Sequence, residues 1–236
     1  MGSTRLPGKS IELIAGMPMV DAIFQRLESL SCPKWLATSK SMEDDRLAEL
    51  AKGRGWFVHR GSEENVLSRY EEILREGDYD YCIRATGDNP MVCPQALELM
   101  ISEFTTSMAN IDYMSDFDYG HFPMGAFAEI FSVPKFLSGI TNIPESEPWH
   151  NSHVTSWMRK SSQRSALKLP IEFKHRPDWR WTVDYPEDLE FARKLISLLG
   201  ESWITLPYPK IVEVIDQNPG LEEINKGISQ KTIEMG

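Results

Sequence analysis

The chain has 236 residues, with 35 acidic and 25 basic side chains and a formal net charge of −10. That balance argues against a general nucleic-acid binder, which needs a basic face, but leaves room for a local basic pocket. Apolar residues make up 41% and charged residues 25% of the chain, an ordinary globular mix, and no apolar run approaches the ~20 residues of a membrane span. The length suits one large domain or one domain with an insertion. Cys32, Cys82 and Cys93 are odd in number and lack metal-ligand spacing. They read as reduced thiols, and with a polar N-terminus and no leader pattern the expected setting is cytoplasmic.

Taken in order, the chain opens with a turn-forming segment, residues 1–10. Met17, Met19, Val20, Ile23, Phe24, Leu27 and Leu30 then recur at helical spacing, so a helix is expected over 17–30, with Pro18 in its first turn. Residues 34–38 read as a short strand ending in hydroxyls, 43–52 as a helix stopped by Gly53, and 56–59 as a second strand. Ser62 is the expected N-cap of a helix whose inner face carries Val66, Leu67, Tyr70, Ile73 and Leu74. A strand over 79–85 and a helix over 94–104 complete an alternating α-β series, the pattern of a mostly parallel sheet with helices on both faces. Beyond residue 110 the pattern changes: 112–132 reads as strands or a hairpin, 134–160 as two shorter helices, and 166–173 as extended. Residues 180–183 read as a strand, 188–199 as a strong helix, and 207–217 and 219–226 as short helices.

Three stretches carry candidate chemistry. The first is Gly2-Ser3-Thr4-Arg5-Leu6-Pro7-Gly8-Lys9. Its glycines permit close backbone approach, its N–H groups suit an anion, and Arg5 and Lys9 supply a fork of donors and a point charge. An ordinary disordered terminus is the competing reading. Gly8-Lys9-Ser10 matches the end of a P-loop, but Gly2 lies one residue too far away and Pro7 removes an N–H, so that motif is set aside. The second is Arg84-Ala-Thr-Gly87-Asp88-Asn-Pro90, an aspartate just past a strand, either a metal carboxylate or an Asx turn. The third is Val183-Asp184-Tyr-Pro-Glu-Asp188. Here Asp184 is either a metal ligand or a helix N-cap, and Asp188 complements the helix dipole.

Together these motifs resemble the cytidylyltransferases that activate acidic sugars, nearest the spore-coat polysaccharide branch and related to the acylneuraminate and ketodeoxyoctonate enzymes. The match runs in order from residue 3 to about 200. It implies a Rossmann-like nucleotidyltransferase fold, single-domain, with residues 110–165 inserted for sugar binding and dimer contact. It implies CTP and a sugar acid as substrates, magnesium as cofactor, and no nucleic-acid or membrane partner. Arg5, Lys9 and Asp88 become the expected catalytic residues, and Asp88 and Asp184 the expected metal ligands. Gly2, Ser3, Thr4, Arg5, Lys9, Thr38, Ser39, Arg60, Gly61, Asn65, Arg84 and Gly87 become expected nucleotide contacts. Pro123, Gly125, Glu129 and His153 become the expected sugar side.

The resemblance has two departures. Relatives begin with a hydrophobic strand leading into the first loop, central in their sheet, and this sequence lacks it, so a missing first strand and a truncated start are expected. The family pattern Pro-x-Gly-x-Asp-x-Glu reads Pro123-Met-Gly125-Ala-Phe127-Ala-Glu129, and Arg-Glu-His-Val-Thr reads Asn151-Ser152-His153-Val154-Thr155. The drift leaves the sugar open. Two other readings stay open with it: a transferase for another sugar or nucleotide, and a catalytically weak nucleotide-sugar-binding relative.

Overall fold

The computed structural model describes residues 5–108, 110–116, 120–161 and 172–230. It opens with a hairpin of β1 (Leu13–Ile14) and β2 (Met17–Pro18), turned at Ala15 and Gly16. Both turn residues have positive φ, 47° and 79°, which matches the twist of a two-residue hairpin. Residues 17 and 18 are therefore strand rather than helix. Helix α1 (Met19–Arg26) starts one residue later, with Pro18 as its N-cap.

Strand β3 (Trp35–Ser39), helix α2 (Asp45–Gly53), strand β4 (Phe57–Gly61) and helix α3 (Val66–Glu76) follow as the sequence predicts. The α3 cap is corrected from Ser62 to Asn65, whose side chain accepts from the Ser68 N–H at 2.9 Å. Ser62 instead accepts from the Asn65 N–H. Next come β5 (Tyr81–Arg84), α4 (Pro94–Ser107), β6 (Tyr113–Met114), β7 (Glu129–Ser132), α5 (Val133–Gly139) and α6 (Ser156–Ser161). Helices α7 (Pro186–Leu199) and α8 (Tyr208–Gln217) close the fold. The extended stretch expected over 166–173 lies mostly outside the described residues.

The α/β class and the parallel β3–β4 pair are as expected, but the sheet is divided. β3 pairs with β4 in parallel, from Trp35↔Phe57 to Ser39↔Gly61. β5, β7 and β6 form a separate antiparallel sheet with β7 in the middle. β6 and β7 pair without a tight turn; residues 115–128 connect them.

The main core gathers Ile14, Ile23, Leu97, Phe104, Trp181, Leu195 and Ile211. A smaller core lies under α3, α5 and α6, around Phe131 and Phe136. Val20, Phe24, Leu47 and Ala51 form a third, against β3 and β4. Arg26 is buried between the first core and the C-terminal elements. It donates to the carbonyls of Val92 (2.7 Å), Trp203 (2.8 Å) and Ile204 (3.0 Å), and burial pulls its guanidinium pKa down to about 10. Cys32, Cys82 and Cys93 form no disulfide. Among the described residues no helix is long and apolar enough to cross a membrane.

The segment over 180–183 is extended but is not a ladder strand, because two loops take its backbone groups. The N–H groups of Trp181 and Thr182 both donate to the Met124 carbonyl, and the Val183 N–H donates to the Asp88 carbonyl at 2.8 Å. That last bond draws the loop after β5 against the approach to α7.

Candidate functional site

Three loops from distant parts of the chain meet beyond the end of β5. Lys9 sits on a single 3-10 turn behind Gly8, which has φ +72°. Its ammonium donates to Asp88 Oδ2 at 2.9 Å, Asp184 Oδ1 at 2.8 Å and the Val183 carbonyl at 2.8 Å. Arg5 donates to the same Asp184 Oδ1 at 2.8 Å and lies over the Tyr185 ring, 5.2 Å from its centroid. The structure thus brings together Arg5, Lys9, Asp88 and Asp184.

Behind them stands Arg180, which the sequence reading missed. It reaches Asp184 Oδ2 at 2.9 Å and Asp188 Oδ1 at 2.9 Å. Arg180 lies before α7 while Asp188 lies in its first turn, so its separations of four and eight from these acids follow no single periodic element. Asp188 Oδ2 also accepts from the Asp184 and Tyr185 N–H groups at 3.0 Å. Asp188 therefore fixes the loop, and the cap of α7 is Tyr185 rather than Asp184. Burial would raise the Asp184 pKa, but the charges of Lys9, then Arg5 and Arg180, outweigh it and hold the carboxyl below its ordinary value. Thr86 donates to Asp88 Oδ1 at 2.5 Å and sets that carboxylate's rotamer.

Asp88 and Asp184 already share one cation within 3 Å, so their geometry suits a divalent ion in place of the ammonium. Among the described residues no group of three or more metal-type side chains converges. Two carboxylates are nevertheless the donor set that magnesium takes when substrate phosphates complete its shell.

A second polar cluster lies beside the first. Glu129 is buried and accepts from Arg84 (2.6 Å), Tyr113 (2.6 Å), Thr155 (2.8 Å) and Arg159 (2.8 Å). Burial works against the carboxylate, but Arg84 and Arg159 dominate and lower its pKa to about 2. Arg84, read from sequence as a nucleotide contact, points its guanidinium at Glu129. Arg159 and Tyr113 had no sequence signal, since the Arg expected two residues before His153 is Asn151 here. His153 Nε2 and Arg84 Nε are buried without hydrogen-bond partners. Burial lowers the His153 pKa, as do Arg84 and Arg159.

The remaining expected contacts are structural in placement. Thr38 and Ser39 are buried, and both hydroxyls donate to Asp44 Oδ2, at 2.7 and 2.6 Å. Burial opposes ionisation there, yet the hydrogen bonds keep the Asp44 carboxyl well below its ordinary pKa. Arg60 clamps the same tip through the carbonyls of Ser39 (2.9 Å) and Ser41 (2.6 Å). Gly61 lets Arg69 approach: an added Cβ would lie 2.9 Å from Arg69 Cγ. Asn65 caps α3, and Gly87 lies near the Ser10 hydroxyl. Pro123 and Gly125 form the turn that receives the 180–183 segment. Gly125 has φ +97°, and an added Cβ would sit 2.5 Å from the Thr182 nitrogen. Gly2, Ser3 and Thr4 lie outside the described residues.

Residues 1–216 match the family model described as Cytidylyltransferase. The spore coat polysaccharide biosynthesis protein SpsF of Bacillus subtilis (strain 168) is 31% identical over 229 residues, covering 93% of this chain and 92% of that protein. A 3-deoxy-manno-octulosonate cytidylyltransferase of Escherichia coli is 29% identical over 104 residues, 42% of this chain and 41% of that protein. A solved cytidylyltransferase from Leptospira borgpetersenii serovar Hardjo-bovis is similar with TM-score 0.84 and 26% identity, covering 98% of this chain and 95% of that one.

Proposed function

The chain belongs to the cytidylyltransferase family, and from that premise we propose that it transfers CMP from CTP to a sugar acid, releasing pyrophosphate, in the making of a surface glycan. The observation that carries the reading is the convergence of Lys9 and Arg5 on Asp88 and Asp184. A polyanionic substrate needs cations that can exchange a carboxylate for a phosphate, and carboxylates that can then take a divalent ion. Both sets stand within one hydrogen-bonded network here.

In this reading an acceptor oxygen attacks the α-phosphorus, the bond from that phosphorus to the bridging oxygen breaks, and pyrophosphate leaves with its electron pair. The protein's part is positioning and charge neutralisation rather than covalent chemistry. Arg5 and Lys9 hold the departing phosphates. Asp88 and Asp184 would hold a magnesium ion, whose chemistry there is charge neutralisation on the phosphates and orientation of the nucleophile. Arg180 and Asp188 keep Asp184 in place. The Glu129 cluster, with His153 at its side, faces the acceptor. A sugar acid as acceptor is supported by the Escherichia coli relative's name, and a glycan as destination by the Bacillus subtilis relative's name.

The test is CMP–sugar formation from CTP over a panel of sugar acids, with wild type and Asp88→Asn, each also melted with magnesium and CTP. Ligand binding to the native state raises the midpoint by mass action. Wild type should form product and melt later with CTP. Asp88→Asn should melt cooperatively and lose transfer by ~100-fold or more, the scale of removing preorganised charge stabilisation. Undiminished transfer in the variant would sink the assignment of Asp88.

A further inference from the structure

Residues 218–230 follow α8 and close behind the acid site. The match to the family model ends at residue 216, so this segment lies past every motif that carries the resemblance. Leu221 is buried in the main core and anchors it, and the chain then makes a 3-10 turn over Glu222–Ile224. Three polar side chains reach inward from there. Glu222 accepts from the Trp179 Nε1–H at 2.6 Å. Asn225 is 4% exposed and gives the N–H groups of its amide to the Arg180–Asp188 pair. One bond goes to the Arg180 carbonyl at 2.9 Å and one to Asp188 Oδ1 at 2.9 Å. Gln230 Oε1 accepts from Arg180 Nη1 at 2.6 Å, while Nε and Nη2 hold Asp188 and Asp184. A buried amide costs stability unless it is paired, and here its partners are the two residues that hold Asp184.

We propose, on the reading of Asp184 as a metal carboxylate, that Asn225 is a positioning residue of the candidate site, acting with Gln230 through Arg180 and Asp188 to aim that carboxylate at a divalent ion. The two oxygens of Asp184 have separate duties. Arg180 holds Oδ2 at 2.9 Å, so Oδ1 is turned toward Lys9 and Arg5. Asp188 Oδ2 takes the N–H groups of Asp184 and Tyr185, which fixes the backbone on which the carboxylate swings. Removing the Asn225 amide takes one donor from Asp188 Oδ1 and one from the Arg180 carbonyl. The pair can then rock, and Asp184 with it. Arg5 and Lys9, which face the nucleotide phosphates, keep their side chains. Outer partners of metal ligands are worth about 10–100-fold in metal affinity, so the signature is a loss on the metal side alone.

The experiment uses the full chain with CTP, and manganese(II) as the metal probe. Water-proton relaxation enhancement reads the protein–CTP–manganese complex, and calorimetry with a chelator present reads CTP binding without metal. Asn225→Ala should weaken manganese binding about tenfold or more and leave metal-free CTP affinity within about twofold of wild type. Gln230→Ala should move manganese affinity in the same direction, and Gln230→Glu, which keeps an acceptor for Arg180, should recover most of that loss. Leu74→Ala, a truncation in the second core, controls for lost stability and should move neither affinity. Unchanged manganese affinity in Asn225→Ala, equal losses with and without metal, or the same manganese loss in Leu74→Ala would each overturn the proposal. Gln230 is exposed, so its variants should fold even where Asn225→Ala does not, and equal manganese affinity in the alanine and glutamate variants would overturn it too. No enhancement with wild type would sink the metal reading of Asp184 itself, and the role of Asn225 with it.

Discussion

Replacing Glu129 by glutamine tests the electrostatic reading of the second cluster most directly. The carboxylate is fully buried among Arg84, Arg159, Tyr113 and Thr155, and its pKa falls from 4.5 to about 2. Each tenfold change in proton affinity is about 1.4 kcal/mol, so the ionised form contributes about 3 kcal/mol at neutral pH. The sign follows from the lowered pKa. The contribution is complete above pH 4.5 and is lost as the pH falls toward 2. By pH 3 it should have shrunk to less than half of that. Glutamine copies the shape of the protonated acid, so Glu129→Gln should cost about 3 kcal/mol at pH 7, or about 6–12 °C in melting midpoint for a chain of this size. The assay is urea unfolding of wild type and variant at pH 7 and pH 3. A gap under about 0.5 kcal/mol at pH 7, or one equally large at both pH values, would refute the claim that charge holds this cluster together.

Other substitutions probe the remaining supports. Arg180→Met leaves Asp188, whose side chain is 0% exposed, without its cation. The cost should be about 3–5 kcal/mol in urea melts, and a loss within error would show that the pair is dispensable. Gly125→Ala forces a side chain into φ +97° and to within 2.5 Å of the Thr182 nitrogen. About 2–4 kcal/mol of stability should go, and a neutral result would mean that the turn relaxes freely. Asn65→Ala removes the α3 cap and should lower stability by about 1 kcal/mol, while Ser62→Ala should cost less. The reverse ranking would restore Ser62 as the cap.

Where the chain carried a local signal, the sequence was enough. The periodicity of α1, α2, α3, α4 and α7 and the short apolar runs of β3, β4 and β5 were legible because they reflect contacts within one element. The motifs around Lys9, Asp88 and Asp184 were legible through family resemblance, and as single stretches each left a bland alternative open. The rest depended on groups far apart in sequence. Residues 180–183 have the composition of a strand, but Met124 and Asp88 take their backbone hydrogen bonds, so no ladder forms. Thr38 and Ser39 look like ligand-facing hydroxyls until Asp44 folds back onto them. Arg180 and Arg159 gain their importance only from the carboxylates that tertiary packing sets beside them. By itself the sequence determined most of the helices, the strands β3, β4 and β5, their order and the identity of the acids and bases. Tertiary structure alone decided which of those charges meet and where the sheet is left open, because ion pairing and strand pairing act between segments that no local pattern connects.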